Sequence, residues 1–276
     1  MRIARVVTAG RAAVVRLDDD GGATELRASS GRELIQRAVK TGGLDSLLGD
    51  RLKSPRTLLA PIDDPGKVVA IGLNYVDHAA EVTMELPKEP LVFAKFPSSI
   101  VGPGEAIRWS RQVTDAVDYE AELAVVIGRP ARDVPVETAL DHVFGYTCLN
   151  DVSARDLQFG DGQWVRGKSL DTFCPIGPWI VTADEIPDPG ALRIGTRIGD
   201  EILQDGTTAD LIFGVAELIS RLSRAFTLEP GDVIATGTPP GIGWARQPRR
   251  LLAHGETVTV HVEGIGELSN PTIVDG

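Results

Sequence analysis

Carboxylates recur at every second position in Asp118-Tyr119-Glu120-Ala121-Glu122-Leu123, before the chain turns apolar and β-branched through Ala124-Val125-Val126-Ile127. Alternate side chains of a strand share a face, so the spacing predicts Asp118, Glu120 and Glu122 pointing together where a buried strand begins. Anions gathered at such a place need a partner, and a divalent cation neutralises several at once. The competing reading is a strand end whose acids face water. Asp151 follows the run 145–150, which reads as another strand, and offers a third carboxylate if that strand lies nearby. A turn residue or cap is the bland alternative for Asp151. Oxygen donors with no Cys or His among them favour Mg²⁺ or Mn²⁺ over zinc.

Other residues could do chemistry beside such an ion. His78 and Glu81 are three apart and share a face if residues 74–81 form a helix, where a carboxylate beside an imidazole raises its basicity. A surface ion pair is the alternative. Lys168 follows Gly167, which allows close backbone approach to a ligand, and an ammonium there can stabilise an oxyanion. Most lysines are simply solvated. Thr238, in Gly237-Thr238-Pro239-Pro240-Gly241, offers a hydroxyl and neighbouring amides to a carboxylate, or is part of a plain turn. Trp109, Trp164, Trp179 and Trp244 read as packing residues.

The elements that must position these groups are mostly strands. Residues 3–7 and 12–17 read as a hairpin about Gly10, and Ser30 with Glu33 as a capping box opening a helix over 31–40, stopped by Gly42-Gly43. Residues 50–61 are polar, hold two prolines and read as a linker. The expected organisation is a small N-terminal domain, 1–61, and a catalytic domain, 62–276. Beyond the boundary, strands are expected at 67–71, 91–96, 145–150, 178–182, 232–236, 257–262 and 266–268. A hairpin is expected over 192–204 about Gly199-Asp200, a short helix over 136–142, and a polar loop through Asp156, Asp161 and Lys168. The one long amphipathic helix is expected over 210–225 after a Thr207/Thr208 cap, with Leu211, Val215, Leu218, Ile219 and Leu222 as core. No regular βαβ alternation appears, which argues for a mixed α+β fold, mainly β, with peripheral helices.

The bulk composition narrows the classes of function. The 276 residues are 42% hydrophobic and 24% charged, ordinary for a globular protein. A net charge of −11 with no basic run argues against nucleic acid as the partner. No apolar run approaches a membrane span, and no signal peptide opens the chain. Two cysteines make no secreted disulfide framework, so a cytoplasmic protein is expected. No GxGxxG or Walker-type loop is present, which predicts no dinucleotide and no P-loop.

Five blocks in order resemble the fumarylacetoacetate hydrolase family: Gly72-Leu73-Asn74-Tyr75 with His78 and Glu81; 118–123; 149–158; 167–175; and 235–241. They span the chain from about Pro61 onward, and the N-terminal part looks like the small leading domain that many members carry. The resemblance implies a β-roll around the active site, a homodimer, and Mg²⁺ or Mn²⁺ held by Glu120, Glu122 and Asp151. It implies that His78 and Glu81 form a water-activating dyad on a segment that can be a mobile lid in relatives. It also implies that Lys168 sits over the reacting carbonyl and that Gln158 and Thr238 contact the substrate. The expected activity is C–C bond hydrolysis of a 2,4-dioxo acid such as an acylpyruvate or fumarylpyruvate. Isomerisation or decarboxylation of hydroxymuconate-type diacids is the alternative, and a metal-binding protein without turnover is a third.

Overall fold

The computed structural model describes residues 1–52, 57–81 and 84–275. Its organising strand is Ala121–Ile127, buried at all seven positions. The side-chain alternation of this strand divides the molecule. Leu123, Val125 and Ile127 pack with Leu218, Ile219 and Leu222 of the helix Val215–Ala225 and with Ile194 and Val260. Ala124 and Val126 pack on the other side with Leu34, Ile35 and Ile176. A strand apolar on both faces therefore sits at the centre, as its unbroken Val/Ile content dictates.

The sheet containing it holds twelve strands among the described residues. Along its main path the order is Leu48–Leu52, Ala23–Leu26, Arg11–Leu17, Arg2–Thr8, Cys174–Thr182, Val143–Asn150, Ala121–Ile127, Val233–Ala235, Val68–Gly72 and Leu91–Lys95. Strands of the leading segment and of the catalytic segment thus share one sheet, joined where Arg2 pairs with Val181 and Ile3 with Ile180. A second sheet of five strands runs Glu201–Thr207, Arg193–Ile198, Thr257–Val262, Gly266–Asp275 and Ile107–Ser110. The architecture is the mixed α+β, mainly β fold expected, with its helices peripheral. No helix of the described residues is long and apolar enough to cross a membrane.

Several local expectations change. The stretch read as a linker is largely paired: Leu48–Leu52 is an edge strand on Ala23–Leu26, and Thr57–Leu59 pairs with Arg2–Thr8. The rest of that stretch, 53–56, lies outside the described residues. The polar loop through Asp156 and Lys168 contains two short helices, Arg155–Gly160 and Val165–Lys168. The long helix begins at Val215, not near Asp210. Asn74 occupies the backbone groups that an earlier start would need: its side chain takes the Phe213 N–H at 2.9 Å and gives an N–H to the Phe213 carbonyl at 3.0 Å. Leu211 therefore lies outside the helix, and Thr207 caps only the single turn Thr208–Asp210. The Ser30 cap holds as expected, accepting the Glu33 N–H, and Gly42 ends that helix in the left-handed conformation at φ 75°.

Candidate active site

The site begins where two antiparallel strands end side by side. Ala121 pairs with Asn150 and Glu122 with Leu149, so the register sets Asp151 beside Glu120. The Asn150 side chain accepts the Glu120 N–H at 3.0 Å, and the Asp151 N–H donates to the Glu120 carbonyl at 2.9 Å. Carboxylate oxygens of Glu120, Glu122 and Asp151 all lie within 4.8 Å of one another. The expected convergence of those three is what the structure shows.

Asp118 does not join them. The strand breaks at Tyr119-Glu120, and Val117–Asp118 pairs instead with Ser153–Ala154. The Asp118 carboxylate is taken up by backbone N–H groups of Gly243 at 2.8 Å and Trp244 at 3.0 Å and by Arg155 Nε at 2.9 Å. Its job is to hold Arg155, whose guanidinium Nη2 lies 2.6 Å from Glu120 Oε1. Asp118 and Glu120 still share a side, meeting Arg155 Nη2 at 2.8 and 2.6 Å, but Asp118 lies outside the triad.

Three cations are buried against the carboxylates. Lys168 Nζ donates to Glu120 Oε2 and Asp151 Oδ2, both at 2.8 Å. Lys95, at the end of Leu91–Lys95, donates to Asp151 Oδ1 at 2.6 Å and to the Lys168 carbonyl. Arg155 completes the set. Four buried carboxylates (Asp118, Glu120, Glu122, Asp151) thus meet three buried cations (Lys95, Arg155, Lys168). The unmatched negative charge falls on Glu122, whose one hydrogen bond among the described residues is from the Gly237 N–H at 2.8 Å.

The proton affinities follow from this arrangement. Burial raises the Glu122 carboxyl well above its ordinary 4.5, and repulsion from Asp151 and Glu120 adds to it. Burial works the same way on Glu120, but Lys168 and Arg155 outweigh it and hold that carboxyl at about 2. Burial lowers the Lys168 ammonium, yet Asp151 and Glu120 overcome that and leave it raised. A buried oxygen cluster one positive partner short fits a hard divalent ion, which would be held by Glu120, Glu122 and Asp151.

A stability prediction arises here. With Glu122 raised, the metal-free fold keeps a proton that the unfolded chain has lost once pH exceeds about 4.5. Stability then falls as pH rises through that window, by up to about 1.4 kcal/mol per pH unit. Chelator-treated protein is expected to melt lower at about pH 8 than at about pH 6, with Mg²⁺ closing the gap. Equal pH responses with and without Mg²⁺ would refute the assignment.

Facing the cluster is a small, partly open pocket of about 80 Å³. His78, Glu120, Glu122, Arg155, Gln158, Lys168 and Thr238 line its polar side. His78 reaches it because Leu73 takes a left-handed turn at φ 53° and Asn74 ties that turn to the Thr236 carbonyl at 2.8 Å, launching the helix Val76–Glu81. The expected pair is formed: His78 Nδ1 lies 3.0 Å from Glu81 Oε2. The other Glu81 oxygen accepts the Gly241 N–H at 2.9 Å, which fastens the helix to the Gly237–Gly241 turn. Gln158 Oε1 accepts from Arg155 Nη1 at 2.9 Å, leaving its N–H groups for the pocket.

The rest of the lining is largely apolar and includes Phe159, Trp164, Trp244 and Phe93, whose ring lies 5.1 Å from Lys168 Nζ. Trp164 and Trp244 are therefore pocket residues as well as packing residues, which corrects the expectation. Phe93 packs edge-on to Trp164 at 5.3 Å, Phe159 lies 5.7 Å from Trp244, and Arg249 caps the outer Trp244 face at 3.4 Å. Sequence reasoning missed Lys95 and Arg155 as site residues. Arg155 sat within a recognised block without a role, and nothing local distinguished Lys95 from a solvated lysine.

This combination of a mainly β core and a buried carboxylate–cation cluster under an aromatic pocket is that of an enzyme family, and the chain belongs to it: the fumarylacetoacetate hydrolase family. Residues 67–273 match the family model described as fumarylacetoacetate (FAA) hydrolase C-terminal. Among curated proteins the chain is similar to the mitochondrial oxaloacetate tautomerase of Xenopus laevis, 45% identical over 87% of this chain and 76% of that protein. It is also similar to an oxaloacetate tautomerase of Bacillus subtilis, 46% identical over 77% of this chain and 72% of that one. Among solved structures, a fumarylacetoacetate hydrolase from Exiguobacterium antarcticum superposes with a TM-score of 0.90 at 40% identity, covering all of both chains. A 5-carboxymethyl-2-hydroxymuconate delta-isomerase from Mycobacterium smegmatis gives 0.82 at 38%, again over all of both chains.

Proposed function

We propose that this protein catalyses keto–enol interconversion of a small 2-oxo acid of the oxaloacetate type, at a divalent-metal site formed by Glu120, Glu122 and Asp151. The observation that carries this reading is the juxtaposition of that charge-deficient triad with the His78–Glu81 pair across one pocket. The names of the tautomerase relatives point the same way. When bound, Mg²⁺ or Mn²⁺ supplies a Lewis acid that holds the oxygens of a 2-oxo acid and favours negative charge on them.

The chain's own groups then divide the work. With Nδ1 held by Glu81, His78 has Nε2 left to take a proton from the carbon beside the carbonyl, and Glu81 stabilises the resulting imidazolium. The Lys168 ammonium and the Arg155 guanidinium offset the charge that develops on oxygen. Gln158 and Thr238 orient the carboxylate end. Reprotonation at the oxygen returns the balance, so no oxidant or second reactant is consumed.

The C–C hydrolysis of a 2,4-dioxo acid is a second reading, supported by the aromatic lining, which offers an acyl chain an apolar surface. In that reaction the same His78 Nε2 takes its proton from water. Ultraviolet absorbance separates the two. Faster decay of oxaloacetate enol without loss of total oxo acid supports the tautomerase, and pyruvate release from an acylpyruvate supports the hydrolase. His78→Ala is expected to lower kcat by about 10²–10⁴ for whichever reaction the enzyme performs. Undiminished turnover in that variant would dismiss the imidazole as the base.

A further inference from the structure

Gln204 lies on the strand Glu201–Thr207 of the five-stranded sheet, outside every recognised block, and is 1% exposed. Its side chain bridges the strand that carries the triad glutamates and the turn that carries Thr238. Oε1 accepts the Ala121 N–H at 2.9 Å and the Thr196 hydroxyl at 2.6 Å. Nε2 donates to Thr238 Oγ1 at 2.8 Å and to the Pro239 carbonyl at 2.8 Å. The amide has one possible orientation, because the Ala121 N–H can only donate and the Pro239 carbonyl can only accept.

That orientation decides which way the Thr238 hydroxyl points. A hydroxyl has one proton to give, and here its oxygen already receives a hydrogen bond from Gln204. Thr238 donates to no partner among the described residues, is buried, and lines the pocket. We propose that Gln204 is a positioning residue that fixes the Thr238 hydroxyl as a donor to the substrate carboxylate. The same amide sets the spacing between Ala121, which lies between Glu120 and Glu122, and Thr238. The proposal rests on the 2-oxo acid reading for its substrate, though the geometry would serve any carboxylate held there.

The decisive variant is Gln204→Glu, which keeps shape and reverses polarity. Ionised at about pH 9, its second oxygen accepts where the amide donated and opposes the Pro239 carbonyl, so the Thr238 proton turns away from the pocket toward residue 204. Binding is read directly, as quenching of tryptophan fluorescence by oxalate with saturating Mg²⁺, and alongside it KM for oxaloacetate. Gln204→Glu and Thr238→Ala are each expected to weaken oxalate about ten- to hundredfold, the range of a hydrogen bond to a charged group. The double variant is expected to be no worse than Thr238→Ala alone, since the effect passes through that hydroxyl. Gln204→Met, which frees the hydroxyl without reversing it, is expected to show a smaller loss that also vanishes beside Thr238→Ala. Additive losses would make Gln204 a purely structural residue and overturn the proposal, as would wild-type affinity in folded Gln204→Glu or in Thr238→Ala. Oxalate binding with these couplings but without turnover of any oxo acid would sustain the positioning role and reject the proposed reaction. Failure of oxalate to bind the Mg²⁺-loaded wild type would reject both.

Discussion

Glu122→Gln is expected to give a protein that is more stable without metal and inactive with it. The substitution keeps the side chain's size and leaves an amide oxygen for the Gly237 N–H. It removes the one carboxylate that has no cation and that Asp151 and Glu120 repel. Glutamine is neutral without a proton, so the cost of keeping that carboxyl protonated disappears, and the chelator-treated protein is expected to gain about 1–3 kcal/mol at pH 8. On the proposed assignment the same change also deletes a metal ligand, so turnover should drop by about a thousandfold or more. Thermal denaturation in chelator, titration calorimetry with Mg²⁺ and steady-state rates measure the three effects. Full activity, or a lower melting temperature than wild type in chelator, would show that Glu122 is not the strained ligand described above. Opposite signs for stability and activity are the mark of a site whose strain serves its chemistry.

Lys168→Met should do the reverse to stability. Its ammonium, 2% exposed, is shared between Glu120 and Asp151. Methionine fills the space and leaves both oxygens facing each other with less compensation, although Lys95 still holds Asp151 and Arg155 still holds Glu120. Breaking a buried ion pair from one side costs roughly 3–5 kcal/mol, or roughly 10 °C in melting temperature for a chain of this length. A divalent ion brings back positive charge, so Mg²⁺ should raise the melting temperature of Lys168→Met by more than it raises that of wild type. Turnover should not recover with it, because the ion replaces the charge between the carboxylates and not the oxyanion donor proposed for Lys168. A variant as stable as wild type in chelator would contradict the charge accounting of the cluster.

How much of this was legible in the sequence depended on whether a signal was local. The Val/Ile run after Glu122 announced a buried strand, and the two-residue spacing of Glu120 and Glu122 put them together. The three-residue spacing of His78 and Glu81 survived because both lie within one helix. Asp118 stands apart from the triad because its partners, Arg155 and the Gly243 and Trp244 amides, lie far along the chain. Lys95 and Gln204 stayed hidden because each acquires its meaning from partners far along the chain. Lys95 meets Asp151 56 positions away, and Gln204 meets Ala121 83 positions away. The start of the long helix was misplaced because a side chain distant in sequence, Asn74, took the backbone groups that its first turn would have used. Trp164 and Trp244 show the converse, since an aromatic that packs and one that walls a cavity look alike until the empty space beside them is seen.

The sheet that runs without interruption from the leading segment into the catalytic one limits how this protein can be recombined. Ile3, Leu34 and Ile35 fill the same apolar space as Ala124, Val126 and Ile176, directly behind the strand that carries Glu122. A chimera that grafts another member's first sixty or so residues onto this catalytic half inherits a foreign knob for each of those sockets. Mismatched volumes there would be felt a few ångströms away as a shift in the floor on which the carboxylates stand. Successful grafts should therefore travel as matched sets, with positions 3, 34 and 35 exchanged together with 124, 126 and 176.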